Sequence, residues 1–230
     1  MHTRKIKLCW QQIPSPLVSE ILAGQFDGVV LDTEHGVFNE ETIFTCIQVI
    51  KIQKKTCLVR LPSVDKTKIR YVLDAGADGI IFSTVETRDQ CEKIIEYSCF
   101  PPKGKRGLGL VRQNKWGEAA LVSPDPILIP QIETKTAIDN LEKISSYNFD
   151  FYLIGPYDLS MSLGCAGDFL NDKFILNVER FNDTISIENR AIHIPDDVKN
   201  KIIGYEDYGL LCLGMDTIAL LEYHKEIKSD

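Results

Sequence analysis

The chain has 230 residues, 44% of them hydrophobic and 26% charged, which excludes a disordered or low-complexity protein and suits one domain with a substantial buried core. Its 26 basic and 33 acidic residues leave a net charge of −7, and with no long Lys/Arg tract and no interleaved aromatics this argues against a nucleic-acid partner. No window reaches the ~18 to 20 apolar residues of a membrane span, and Gln11 and Gln12 interrupt the N-terminal apolar stretch, so the expectation is a cytoplasmic chain with neither signal peptide nor membrane contact.

Apolar runs of strand length alternate with longer stretches of helical period. The strand candidates are Lys5–Trp10, Gly28–Thr33, Thr56–Leu61, Gly79–Thr84, Ile127–Glu133, Phe149–Gly155, Ala191–Ile194 and Gly209–Gly214. Helical segments are expected at Pro16–Gly24, Asn39–Gln53, Asp65–Gly76, Glu86–Ser98, Thr134–Ser146 and Thr217–Lys228, several opening on side chains that can cap first-turn amides. The strands lack strict alternation, as expected when helices cover the outside of a parallel sheet. Eight such units predict a (β/α)8 TIM barrel spanning 1–230 as a single catalytic domain, its active site at the C-terminal face of the strands.

Two turns echo each other: Ala23-Gly24 and Ala75-Gly76 both precede an Asp-Gly strand entry, and in each the glycine is expected to end a helix in the left-handed conformation. The stretch Pro101–Pro126 is long and irregular, as functional loops are. It places Arg106, Arg112 and Trp116 either at the edge of a substrate pocket or on a surface loop at a subunit contact. Its GKRGLG string lacks the trailing Gly-Lys-Ser/Thr of a phosphate loop. The seven cysteines at 9, 46, 57, 91, 99, 165 and 212 have no CxxC pairing and read as buried reduced thiols.

Candidate reactive groups fall just past apolar runs: His35 after GVVLDTE, Arg60 after TCLV, Glu133 after ILIPQI and Asp158 after FYLIGPY. Two carboxylates can hold a divalent cation, a histidine can manage a proton, and an arginine can clamp a substrate carboxylate. Arg60 within its apolar run needs an anionic partner, either a structural carboxylate or a substrate. Gln131 and Glu133 share a strand face, as do Asp32 and Glu34. His193, inside an apolar strand, reads first as a satisfied core group, with a role in the pocket as the alternative. IGPYDLS is the most specific string: a Gly-Pro turn offers backbone amides and Asp158 together, suited to an oxyanion and a cation side by side.

In order and spacing, FDGVVLDTEHG, LVRLP, VLDAGADGI, PPKGKRGLG, IPQIET, IGPYDLS and LGMDT resemble the HpcH/HpaI aldolase family over almost the whole chain. The resemblance implies a metal-dependent aldolase joining or splitting pyruvate and an aldehyde, acting on a 2-keto-3-deoxy acid. It implies that Glu133 and Asp158 ligate Mg2+, Mn2+ or Co2+, that His35 accepts the proton and that Asp74 raises the basicity of His35. It further implies that Arg60 stabilises the enolate, that Gln131 contacts substrate, and that the Tyr157 amide meets the pyruvate carboxylate. A homo-oligomer, a hexamer built as a trimer of dimers, is implied as well. Tyr157 is bulky where many relatives carry a small residue, and the match fades in Lys115–Asp125 and in 159–195, the regions expected to face the aldehyde or a neighbouring subunit. No lysine ends a clear inward-facing strand, which disfavours the imine-forming class. Two other readings are a citrate-lyase-β-like lyase acting on a CoA thioester and a non-catalytic barrel serving as a binding or assembly subunit.

Overall fold

The computed structural model describes residues 5–119, 124–195, 202 and 204–229. Eight parallel strands close into a barrel in sequence order: β1 Ile6–Gln11, β2 Gly28–Asp32, β3 Thr56–Leu61, β4 Gly79–Phe82, β5 Ile127–Ile132, β6 Tyr152–Ile154, β7 Arg190–Ile194 and β8 Leu210–Met215. Each coincides with an expected strand, and the whole is the expected (β/α)8 architecture. Its helices are α1 Pro16–Gln25, α2 Glu40–Ile52, α3 Lys66–Asp74, α4 Arg88–Ser98, α5 Lys135–Asp139, α6 Leu141–Ser145, α7 Pro156–Ser162, α8 Asp172–Thr184 and α9 Asp216–Ser229. Among the described residues no helix is long and apolar enough to cross a membrane.

Successive strand side chains point to opposite faces, and this divides the core in two. Leu8, Val30, Leu58, Ile81, Ile129, Leu153, Ala191 and Leu210, one from each strand, fill the barrel together with Trp10 and Cys212. Their alternates, such as Val29, Leu31, Val59 and Ile80, pack outward against the helices with Ile47, Leu73, Ile94 and Phe181. The inward rows then turn polar at their C-terminal ends. Two residues beyond Val30 comes Asp32, beyond Leu58 comes Arg60, beyond Ile129 comes Gln131, and beyond Ala191 comes His193.

The helix caps follow the sequence. Asn39, Asp65, Thr87 and Thr134 each accept a hydrogen bond from a first-turn amide of α2, α3, α4 and α5. Three expectations change. The segment Thr134–Ser146 splits into α5 and α6 at Asn140, which caps one helix and opens the next. α7 and α8 lie where no helix was expected; α8 is amphipathic and buries Phe174 and Phe181. Of the two echoed glycines only Gly76 is left-handed, at φ 100°, whereas α1 runs through Gly24 to Gln25. The described cysteines are free thiols, all but Cys165 buried, as expected.

Candidate active site

The C-terminal mouth of the barrel holds a cavity of about 310 Å³ bordered by Trp10, His35, Arg60, Gln131, Asp158 and His193, with Gly155 to Tyr157 along one wall. That volume suits a small metabolite. Among the described residues bordering it, Arg60 is the only arginine and there is no lysine.

One side is built on β2 and β3. The register pairs Asp32 with Arg60 across neighbouring strands, so both side chains enter the barrel at the same level. Arg60 Nε donates to Asp32 Oδ1 at 2.9 Å and Nη2 donates to Oδ2 at 2.6 Å, a bidentate pair. Asp32 Oδ2 also accepts from Trp10 Nε1 and Gln12 Nε2, and Oδ1 accepts from the amides of Glu34 and His35. Burial alone would raise the Asp32 pKa, but the hydrogen bond and charge of Arg60, with Trp10 and Gln12, overrule it and hold the carboxyl at about 2. Glu34 adds a second contact, 2.8 Å from Arg60 Nη1, and accepts from Ser83 Oγ. Arg60 lies 4.9 Å from the Trp10 ring centroid. The anionic partner that Arg60 required is therefore structural, and it fixes the guanidinium at the cavity wall. His35 is exposed at the rim, beyond a tight turn in which a Cβ on Gly36 would meet the Asp32 carbonyl at 2.3 Å.

The other side is built on β5 and α7. Glu133 is only 3% exposed. Its Oε1 accepts both the amide and the hydroxyl of Thr84, each at 2.7 Å, and its Oε2 accepts from Gln131 Nε2. Thr84 was expected to continue a strand. Instead β4 stops at Phe82, and Thr84 takes φ 52°, a strained conformation that turns both of its donors onto one carboxylate oxygen. Burial, then the charges of Asp158 and Glu34, push Glu133 up to about 7 against the bonds from Thr84. Gly155, the N-cap of α7, makes room for this group: a Cβ there would meet Gln131 Nε2 and Glu133 Oε2 at 2.9 Å. The Gly-Pro turn of IGPYDLS thus becomes a helix start, with Pro156 in its first turn and Asp158 projecting at the mouth. Tyr157 is 41% exposed and stands edge-on to Phe169.

The structure brings His35, Arg60, Gln131, Tyr157 and Asp158 to one cavity and sets Glu133 directly behind Gln131. It does not bring Asp74 to His35. Asp74 ends α3, whose return toward the start of β4 carries it away from the strand C-termini, and its carboxylate accepts from Arg106 Nη2 at 2.7 Å. The irregular segment following α4 likewise lies at the N-terminal face. Arg106 is buried there, bonded to Asp74 and Gln113 and stacked on Phe100. Arg112 donates to the Ala75 carbonyl, Trp116 is largely exposed, and none of the three borders the cavity. Residues 120–123 fall outside the described ones. Sequence reasoning missed Trp10, Gln12 and Thr84, and gave His193 the pocket only as its second reading. For Trp10 and His193 the signal was available: each lies two residues beyond an inward apolar position, Leu8 and Ala191.

A closed parallel barrel whose inward rows end in opposed charges around a small cavity defines a (β/α)8-barrel enzyme. The family model of the HpcH/HpaI aldolase/citrate lyase family matches residues 8–184. A 4-hydroxy-2-oxovalerate aldolase of Novosphingobium aromaticivorans is 35% identical over 165 residues, which are 69% of this chain and 63% of that protein. A hydroxypyruvate/pyruvate aldolase of Roseovarius nubinhibens is 30% identical over 224 residues, 93% of this chain and 87% of that one. Among solved structures, a family protein of Burkholderia cenocepacia J2315 superposes with a TM-score of 0.86 at 23% identity, covering 98% of this chain and 94% of the other. The chain belongs to the HpcH/HpaI aldolase/citrate lyase family.

Proposed function

We propose that this barrel is a divalent-metal-dependent aldolase that makes or breaks the carbon–carbon bond between pyruvate, as its enolate, and an aldehyde, acting on a 2-keto-3-deoxy acid. One observation carries the reading: a fixed cation, Arg60, and a carboxylate, Asp158, border one small cavity, and directly behind Gln131 sits Glu133, whose carboxyl is pushed up by burial and by the charges of Asp158 and Glu34. The aldolase names of its relatives support it.

The donor set fits a hard cation. Burial first, and then the charges of Asp158 and Glu34, raise the pKa of Glu133, an environment that a bound cation would relieve. Among the described residues no group of three or more His, Cys, Asp or Glu side chains is arranged to hold a metal. On this reading Glu133 and Asp158 would hold Mg2+, Mn2+ or Co2+ as two oxygen donors, leaving other positions to substrate and water. When bound, such an ion supplies Lewis-acid polarisation of the 2-keto group.

The chain's own residues supply the rest. In cleavage, His35 takes the proton of the 4-hydroxyl, the C3–C4 bond breaks, and its electron pair becomes the enolate with charge on the 2-oxygen. The aldehyde departs, and protonation at C3 completes pyruvate. Arg60, immobilised by Asp32 and Glu34, needs no reorganisation as that charge develops. Gln131 and the Tyr157 amide orient the keto acid. Asp74 is bonded to Arg106 within this chain, so its contact with His35 would have to form between copies. The exposed apolar residues Leu220, Leu221, Tyr223 and Ile227 of α9 support a homo-oligomer, proposed as a trimer of dimers, built from one catalytic domain per chain. With a single arginine and no lysine among the described residues around the cavity, the thioester-cleaving reading gains no phosphate site.

The test is deuterium exchange into the pyruvate methyl group. Exchange is expected with added Mn2+ and is expected to stop on chelation. A folded protein showing no exchange with any divalent metal would overturn the assignment.

A further inference from the structure

Two side chains that line the cavity each carry a buried acceptor with no partner among the described residues. The acceptors are Gln131 Oε1 and His193 Nε2. His193 is placed with care for a supposed core group: its ring stacks on Trp10 at 4.2 Å and 15°, and it donates to the backbone of Gly214. In a neutral imidazole, once one nitrogen donates, the other can only accept. The ring is neutral, because burial, then the charge of Arg60, pushes its pKa down to about 3. So weak a base cannot share the proton transfer assigned to His35. It can receive a hydrogen bond.

The reaction as assigned gives His193 nothing to receive. Pyruvate and its enolate carry no hydroxyl proton, and the 4-hydroxyl of the cleaved acid surrenders its proton to His35. An enclosed acceptor left unpaired costs free energy, and two of them on side chains that line one cavity suit a ligand rich in donors. The geometry points to His193 as a specificity-determining residue that accepts a hydrogen bond, through Nε2, from a second substrate hydroxyl that the cleavage itself does not use. This rests on the aldolase reading and names its substrate class, polyhydroxylated rather than simple.

The hydroxyl can sit on the keto acid or on the aldehyde, and two substrate pairs separate these sources. With Mn2+-loaded enzyme, C3 proton exchange compares hydroxypyruvate with pyruvate, and addition to pyruvate compares glycolaldehyde with acetaldehyde. In one pair, wild type is expected to prefer the hydroxylated member by kcat/KM. His193→Leu should erode that preference roughly tenfold, the usual scale for a lost buried hydrogen bond. His193→Gln, which keeps an acceptor near Nε2, should restore part of it. Preferences unchanged by His193→Leu in both pairs overturn the proposal. A second readout needs neither variant nor turnover: in 15N-histidine-labelled wild type, the His193 Nε2 resonance should move with the hydroxylated ligand and not with its plain counterpart. If wild type exchanges no substrate, the aldolase reading falls while this resonance still decides the contact. No selective shift with any hydroxylated ligand overturns it.

Discussion

On the β2–β3 side of the mouth, a carboxylate that is completely buried is surrounded by donors: Asp32 meets Arg60 twice, Trp10, Gln12 and two backbone amides. On the β5–α7 side, a carboxylate almost as deeply buried meets only Thr84 and the Gln131 amide, while Asp158 and Glu34 repel it. Both sit at the ends of inward rows in the same barrel, yet burial ends with opposite signs, holding Asp32 at about 2 and lifting Glu133 to about 7. The side that fixes a cationic side chain completes its own charge; the other stays short of positive charge, which is what the proposed uptake of a metal ion would require.

The largest effect should come from breaking the completed side. Arg60→Ala strands Asp32 without its counter-charge, and removing one partner of a buried pair costs about 3 to 5 kcal/mol. Denaturant titration should show this loss, together with abolished turnover. Adding Asp32→Asn should recover much of the stability and none of the activity. If Arg60→Ala alone leaves stability intact, the ion pair is not what organises this side.

The two sides also differ in how far the sequence announced them. The barrel was legible because each strand is a short apolar run between helical periods, and the ends of those runs marked His35, Arg60, Glu133 and Asp158. What local pattern does not contain is pairing across strands: Asp32 is the partner of Arg60 only because the β2–β3 register sets them level. Nor does it contain a backbone reversal such as Thr84, whose φ of 52° no β-branched residue advertises. His193 was left between core and pocket because an apolar strand looks like core from either face, and only barrel closure shows which side the ring enters. The segment Pro101–Pro126 was long enough to be a lid, but chain order alone runs it from a helix C-terminus to a strand start, and its described residues such as Arg106 and Arg112 lie at the face away from the mouth.

A smaller effect separates the two carboxylates by pH. The folded pKa of Asp32 lies below its ordinary value of 3.8, so its contribution is fully present above that value and is lost as pH falls toward 2. The shift corresponds to about 2 kcal/mol. Glu133 has the reverse sign: its folded pKa lies above the ordinary 4.5, so its stabilising share is present below 4.5 and disappears as pH rises through about 7. In metal-free protein, stability should therefore pass through a shallow maximum on the acid side of neutrality. Asp32→Asn should flatten the acid limb only. An acid limb unchanged in that variant would place the titration elsewhere.

The smallest effect has the opposite sign from the others. In the absence of metal, Glu133→Gln should stabilise the protein by about 1 kcal/mol, because it removes a buried charge facing Asp158 and Glu34 while its amide oxygen can still accept from Thr84. Gln131 can turn its amide to present the unpartnered Oε1 to the new NH2 group, so no donor need be stranded. The same substitution should abolish metal-dependent pyruvate exchange and remove the rise in melting temperature that Mn2+ gives wild type, since a ligand stabilises only the state that binds it. A neutral side chain at position 133 that raises metal-free stability and cancels the metal response would show the deficit of positive charge on this side to be its function. Loss of metal-free stability in Glu133→Gln would mean instead that Thr84 and Gln131 already satisfy Glu133, and that the two sides of the mouth differ less than their hydrogen bonds indicate.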